Sequence, residues 1–194
     1  IIGAENYTTP AELGGQRAVR NVAMGHVRDI SFKHVKLVEA YGGSSYNKSN
    51  PADYSTYQPV EKNHSEFTSV VVGYKMPEGV SDSDMPDGRA TGYVENAVFE
   101  DVELTVKGYN KEGNYPFETT ENTCKELNVG QYNSPDMGVR PSYGFYVRHA
   151  KDVTFKDVKL DFEGIDGGTD DRYPIVFDDV PRAVTDNVTM PQRL

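Results

Sequence analysis

Apolar and polar residues alternate along three eleven-residue segments of this chain, and in each the alternation breaks at the same place. The first is Val27-Arg28-Asp29-Ile30-Ser31-Phe32-Lys33-His34-Val35-Lys36-Leu37. The second runs from Val94 to Leu104 and the third from Ala150 to Leu160. A degenerate fourth, Pro181 to Met190, keeps Val188, Met190 and a polar Asn187. Within each copy a strand period of two puts Ile30 and Phe32 on one face, and then Val35 and Leu37. Strict alternation would turn Val35 away from Phe32, so the chain has to bend near Lys33-His34. His34, Asp101 and Asp157 occupy that bend. Asp29, Asn96 and Asp152 open each copy, and such residues cap nearby amides and tolerate unusual backbone angles. Two short strands joined by a corner, repeated, predict one coil per copy of a parallel β-helix (a solenoid), in which coils bury their inward residues on their neighbours.

The copies are unevenly spaced. Phe32 and Phe99 are 67 residues apart, Phe99 and Phe155 56, and Leu160 and Met190 30. A bare coil takes roughly 20–30 residues, so the longer gaps predict coils with large excursions, at about 40–92 and 108–141. Both are rich in Tyr, Ser, Asn, Asp and Pro. Tyr143–Val147 reads as a strand before the third copy, and Tyr173–Phe177 takes the same place 30 residues later. No 3.6-residue apolar stripe persists. A β-sandwich is the structural competitor, but it leaves the recurring corner unexplained. The expectation is therefore one all-β domain over residues 1–194.

Composition sharpens this in two ways. With 13 Tyr, 18 Gly and no Trp, the chain has strand and turn residues in excess. Its net charge of −10 argues against nucleic acid and anionic membranes as partners. No apolar run approaches the roughly 18 residues of a membrane-spanning helix. Cys124 is the single cysteine, which excludes an internal disulfide framework and a multi-cysteine metal site. The chain opens Ile1-Ile2-Gly3, without Met or a signal-peptide layout, and is read as a piece of a longer protein.

The stretch Pro141-Ser142-Tyr143-Gly144-Phe145-Tyr146-Val147-Arg148-His149-Ala150-Lys151-Asp152-Val153-Thr154-Phe155, followed by Pro174-Ile175-Val176-Phe177-Asp178-Asp179-Val180 and preceded by Gly92-Tyr93-Val94-Glu95-Asn96, resembles the C-terminal part of bacterial family-28 glycoside hydrolases, the polygalacturonase-like proteins. The resemblance covers most of residues 17–190. It implies a right-handed parallel β-helix and a secreted or periplasmic enzyme cleaving pectin-type polysaccharide, polygalacturonan or rhamnogalacturonan, with inversion. Inversion needs an acid and a base carboxyl roughly 6.5–9.5 Å apart. The family's catalytic motifs are an Asn-Thr-Asp, a paired Asp after Gly or Gln, a Gly-His-Gly and an Arg-Ile-Lys. None occurs here, and Gly25-His26-Val27 matches the third only in its first two residues. No catalytic residue is therefore assigned, and the expectation is that the catalytic carboxylates lie outside this chain. The competing expectation is a non-catalytic β-helix, either an adhesin-like or a carbohydrate-binding module.

Candidate ligand contacts follow from chemistry. Arg148 and His149 close a strong strand, where a guanidinium suits a uronate carboxylate. A strand-end Arg paired with an acid on the next coil is the competing role. Lys75, Arg89, Arg140 and Arg148 would form a basic cluster if they converge, and Tyr143 offers an aromatic face. The candidate substrate contacts are thus Arg148, His149, Tyr143, Lys75 and Arg140. Tyr41, Tyr46, Tyr54, Tyr57, Tyr74, Tyr109, Tyr115 and Tyr132 lie in or beside the excursions, suited to stack on sugars or to staple the loops. Asp170-Asp171 and Asp178-Asp179 are adjacent pairs. Strand neighbours point to opposite faces, so neither pair serves as acid and base together. His26, His34 and His64 lack metal-ligand spacing. Asp82, Asp84 and Asp87 alternate as calcium ligands do, but without the Gly and distal Glu of a known loop. No metal and no cofactor is expected. The sequons at Asn6, Asn47, Asn63 and Asn187 are expected to be unused. A solenoid cut through its stack exposes a coil face, so the end near residues 17–32 is expected to bind either a missing N-terminal half or a second copy.

Overall fold

A computed structural model describes residues 2–3, 23–41, 68–76, 78–108, 140–164 and 172–191. Among these the chain is all-β apart from a 3-10 turn at Asp82–Asp84. In chain order the strands are β1 (Ile2–Gly3), β2 (Val27–Tyr41), β3 (Ser69–Val72), β4 (Tyr74–Lys75), β5 (Thr91–Gly92), β6 (Val94–Gly108), β7 (Ser142–Arg148), β8 (Ala150–Gly164), β9 (Tyr173–Asp178) and β10 (Val184–Thr189). They form two four-stranded parallel sheets, ordered β1-β3-β7-β9 and β10-β8-β6-β2, while β4 and β5 form a small antiparallel pair. Apart from that pair, the chain alternates between the two sheets.

The three repeat copies lie side by side in register. Ile30 pairs with Ala97 and Val153, Phe32 with Phe99 and Phe155, and Leu37 with Leu104 and Leu160. The fourth copy joins at Val184, opposite Thr154. In β6 the buried positions are Val94, Ala97, Phe99, Val102, Leu104 and Val106, so two of the steps are three residues long rather than two. Each long step spans a residue with positive φ, Asn96 (54°) or Asp101 (54°). A left-handed residue shifts the side-chain phase by one and bends the strand, and Asp and Asn tolerate it best after Gly. Asp29, His34, Asp152, Asp157 and Asn187 adopt the same conformation. The bend inferred at His34, Asp101 and Asp157 is therefore real, and so is the opening corner at Asp29, Asn96 and Asp152.

Those corner residues form polar ladders. The Asn96 amide donates to Asp29 (2.8 Å), His34 Nδ1 to Asp101 (2.6 Å) and the Asn187 amide to Asp157 (2.6 Å), while Arg182 pairs with Asp152. On the outer face of β6, Glu95, Glu100 and Glu103 lie between basic neighbours. Lys33 and Lys156 both reach Glu100 (2.7 and 2.8 Å), Lys36 reaches Glu103 (2.5 Å) and Lys151 reaches Glu95 (2.8 Å). Opposite charges directly across strands favour this register over a slipped one.

The inner faces of the two sheets share one core. Phe32, Phe99 and Phe155 stack at centroid spacings of 5.3 and 4.8 Å, and Phe145 meets the last two edge-on at 5.1 and 5.0 Å. The outer face of the β3-β7-β9 sheet is buried as well, around Val70, Val72, Tyr146 and Val176. Residues 69–72, placed by the sequence inside the 40–92 excursion, are thus a sheet strand, and 74–92 a hairpin-like insertion. A short apolar run with no repeat copy beside it carries no signal of its own. Residues 42–67, 77 and 109–139 of the two excursions lie outside the described residues. So do Tyr46, Tyr54, Tyr57, Tyr109, Tyr115, Tyr132, His64, Cys124, Asp170, Asp171, the side chain of Tyr41 and the sequons at Asn6, Asn47 and Asn63. No helix among the described residues is long and apolar enough to cross a membrane.

Candidate functional site

The chain passes from one sheet to the other at His149 and again at Asp179, both left-handed, with φ of 48° and 54°. They occupy one column, because Arg148 pairs with Asp178 and the His149 amide donates to the Asp178 carbonyl (3.2 Å). After β3, the strand beside β7, the same column holds Gly73, whose amide donates to the Arg148 carbonyl (2.9 Å). A Cβ on Gly73 would lie 2.0 Å from the His149 carbonyl oxygen, so only glycine fits this close approach. The β4–β5 insertion leaves the wall here, between Gly73 and Tyr93, and carries Lys75 and Tyr93 to the same corner.

These side chains converge on Asp179. Its Oδ2 accepts from the Tyr93 hydroxyl (2.5 Å), from His149 Nδ1 (2.8 Å) and, at longer range, from Lys75 (3.4 Å). Tyr93 stacks on His149 at a 5.8 Å ring spacing. Oδ1 of Asp179 has no partner among the described residues. Burial is the largest single effect on this carboxyl and pushes its pKa up. The hydrogen bonds from Tyr93 and His149, with the charge of Lys75, together outweigh it and hold the pKa below the ordinary value. Asp179 is therefore an oriented anion whose side chain is 34% exposed, while that of His149 is 6% exposed.

Beside it, Asp178 accepts from the Tyr146 hydroxyl (2.9 Å) and pairs with Arg148 Nε (3.1 Å), both charged side chains being largely buried. The two carboxylates thus serve separate sets of partners, as adjacent strand positions require.

The five candidate contacts divide on this geometry. Lys75 and His149 share Asp179. Arg148 is adjacent, but its charge goes to Asp178 on the neighbouring strand β9, the structural role that competed with uronate binding. Tyr143 is a core residue, 4% exposed and packed on Phe162, since it alternates inward with Phe145. Arg140 is also buried. It precedes the far end of β7, about 20 Å of strand from Arg148 at roughly 3.3 Å per residue. Arg89 instead binds Asp87, His26 and the Met24 carbonyl. The basic cluster of Lys75, Arg89, Arg140 and Arg148 therefore does not assemble, and Tyr93 is the site residue that sequence reasoning passed over.

The alternating aspartates of the insertion are used internally. Asp82 accepts from the Ala90 amide (2.7 Å), Asp84 caps Ser81 (2.9 Å to its amide) and Asp87 pairs with Arg89 (2.8 Å). No group of three or more His, Cys, Asp or Glu side chains suited to a metal ion occurs among the described residues.

Comparison of the chain with protein-family models, with curated proteins and with solved structures finds no match.

Proposed function

We propose that these coils belong to a right-handed parallel β-helix of the polygalacturonase-like kind, acting on pectin-type polysaccharide, and that the corner formed by Lys75, Tyr93, His149 and Asp179 is where this part of the protein holds the sugar chain. The two parallel sheets, the alternation between them and the stacked left-handed corners support the β-helix. One observation carries the functional reading: three donors from separate segments fix a single oxygen of a partly exposed Asp179, whose other oxygen has no partner among the described residues. A fixed carboxylate acceptor beside an ammonium and an aromatic phenol is the equipment for gripping sugar hydroxyls. The same geometry favours binding over complete catalysis here. A carboxyl held below its ordinary pKa is a poor proton donor at neutral pH, and Asp178 is tied to Arg148, so the corner lacks the acid of an inverting pair. On this reading the acid and base stand elsewhere in the protein, which works outside the cytoplasm, where such polymers are found. A non-catalytic carbohydrate-binding β-helix is the second reading, favoured by the same missing acid.

Calorimetric titration of the chain with oligogalacturonates and with neutral galactan oligosaccharides tests the site. Binding by the wild type, weakened about tenfold or more in Asp179→Asn and Lys75→Met, is expected, with no reducing sugar released from polygalacturonate or rhamnogalacturonan. Unchanged binding in both variants would refute the site. Hydrolysis by the chain alone, lost in Asp179→Asn, would instead make Asp179 a catalytic base.

A further inference from the structure

Among the described residues the outermost strands of the long sheet are β2 at one end and β10 at the other, and β1 and β9 are the corresponding ends of the second sheet. Large apolar side chains are exposed at these ends. Phe32 and Leu37 are 38% and 45% exposed at the β2 end, and Phe177 and Met190 36% and 41% at the β10 end. The β2 end also holds a cavity of about 360 Å³, lined among the described residues by Phe32, Val35, Leu37, Val70, Val71 and Phe99.

The two ends fit each other. All the strands of the long sheet run parallel, so the column register continues from β10 of one copy onto β2 of another without reversing direction. Thr154, Val98 and Ser31 share the column of Val184, and the other columns follow by the same 30-residue offset between β8 and β10. Continued by one coil, that register sets Val188 over Val35 and Met190 over Leu37, apolar on apolar. It sets Asp186 against Lys33, Arg182 against Asp29 and the Asn187 amide against the His34 ring. Each of these polar pairs repeats a kind of contact already made inside the sheet, namely Lys33 with Glu100, Arg182 with Asp152 and Asn187 with Asp157. In the second sheet, where Ile2 pairs with Val71, Val71 with Val147 and Val147 with Phe177, the continued register sets Phe177 against Ile2.

We propose that this chain associates head to tail with a second copy of itself, β10 of one molecule adding in parallel and in register to β2 of the next. Strand addition at open edges is a common mode of association. Here the apolar columns match at Val188 and Met190 and the charge signs at Asp186 and Arg182, while Phe32 falls opposite Thr185. The contact is heterologous. The end it uses is not the end it occupies, so association leaves a free head and a free tail and continues into open oligomers rather than stopping at a dimer. Asp179 directly follows β9, so the corner adjoins the end that the proposed contact uses.

Sedimentation equilibrium of the 194-residue chain over a wide concentration range tests this, with circular dichroism as the folding control. The expected result is a weight-average mass that keeps rising with concentration past the dimer. A monomer at several hundred micromolar, or a dimer that grows no further, would overturn it. Two exposed positions read the register. Thr189, which the continued column sets opposite Lys36, predicts association tightened about two- to fivefold in Thr189→Glu and weakened by as much in Thr189→Lys. Met190→Asp, which sets a carboxylate on Leu37, predicts association weakened more than tenfold. Equal effects of Thr189→Glu and Thr189→Lys, or no effect of Met190→Asp, would overturn the register and with it the proposal.

Discussion

Replacing Phe155 with alanine removes the centre of the aromatic ladder that joins the two sheets. Phe155 is fully buried and meets Phe99 at 4.8 Å, Phe145 at 5.0 Å and Phe177 at 5.8 Å. Truncating a buried Phe to Ala costs about 3–5 kcal/mol, and its ring neighbours here are held on the paired strands β6, β7 and β9, where they collapse poorly into the void. The loss of three ring contacts argues for the upper part of that range, about 4–5 kcal/mol. Phe32 is the internal comparison. It occupies the same column but stands at the end of the sheet, 38% exposed, with one ring partner at 5.3 Å, and Phe32→Ala should cost only about 1–2 kcal/mol. Urea unfolding followed by far-ultraviolet circular dichroism measures both, with the midpoint and the slope compared separately because stacked arrays can lose cooperativity. A Phe32→Ala cost equal to or above that of Phe155→Ala would refute the reasoning. So would a Phe155→Ala cost below about 1.5 kcal/mol.

Other substitutions test other parts of the fold. Gly144→Ala would put a Cβ 2.4 Å from the Pro174 carbonyl oxygen on β9, and should destabilise by about 1–3 kcal/mol through forced separation of β7 and β9, read from the same urea curves. Asp157 has φ of 53° and accepts from Asn187. Asp157→Val should cost about 2 kcal/mol and Asp157→Asn less than about 0.5 kcal/mol, a contrast absent if the corner is an ordinary extended residue. Glu100 is lowered from 4.5 to about 2, first by its hydrogen bond to Lys156 and then by that to Lys33. A depressed carboxylate contributes stability that is complete above its unfolded pKa and is lost as pH falls through the folded one. The melting-temperature gap between wild type and Glu100→Gln should therefore be full at pH 6 and close between about pH 4.5 and 2.

The repeat was legible because a left-handed corner leaves a mark on the apolar pattern. An extra outward residue separates Phe32 from Val35, Phe99 from Val102 and Phe155 from Val158, and Asp, Asn or His stands in the gap. β3 left no such mark, since Ser69–Val72 is four residues long and has no corner residue inside it. Tyr143 was misjudged because its neighbours on both sides are buried too, which removes the alternation that separates core from surface. The corner site combines residues 75, 93, 149 and 179, which no local motif unites. The 30-residue offset that aligns Leu160 with Met190 also aligns His149 with Asp179, so that pair was within reach of the repeat. Tyr93 and Lys75 depend on the insertion at Gly73, and nothing in the sequence marks which strand it follows.

Ser31, Val98, Thr154 and Val184 share one column of the long sheet, and the distance across it tests the central claim most directly. Nitroxide labels at Ser31→Cys and Val184→Cys, in a Cys124→Ser background and diluted with unlabelled chain to suppress contacts between molecules, report the span of three strand spacings. The parallel, in-register order β10-β8-β6-β2 predicts backbone positions roughly 14–15 Å apart at about 4.8 Å per strand. A separation beyond about 25 Å, well outside three strand spacings, would contradict it.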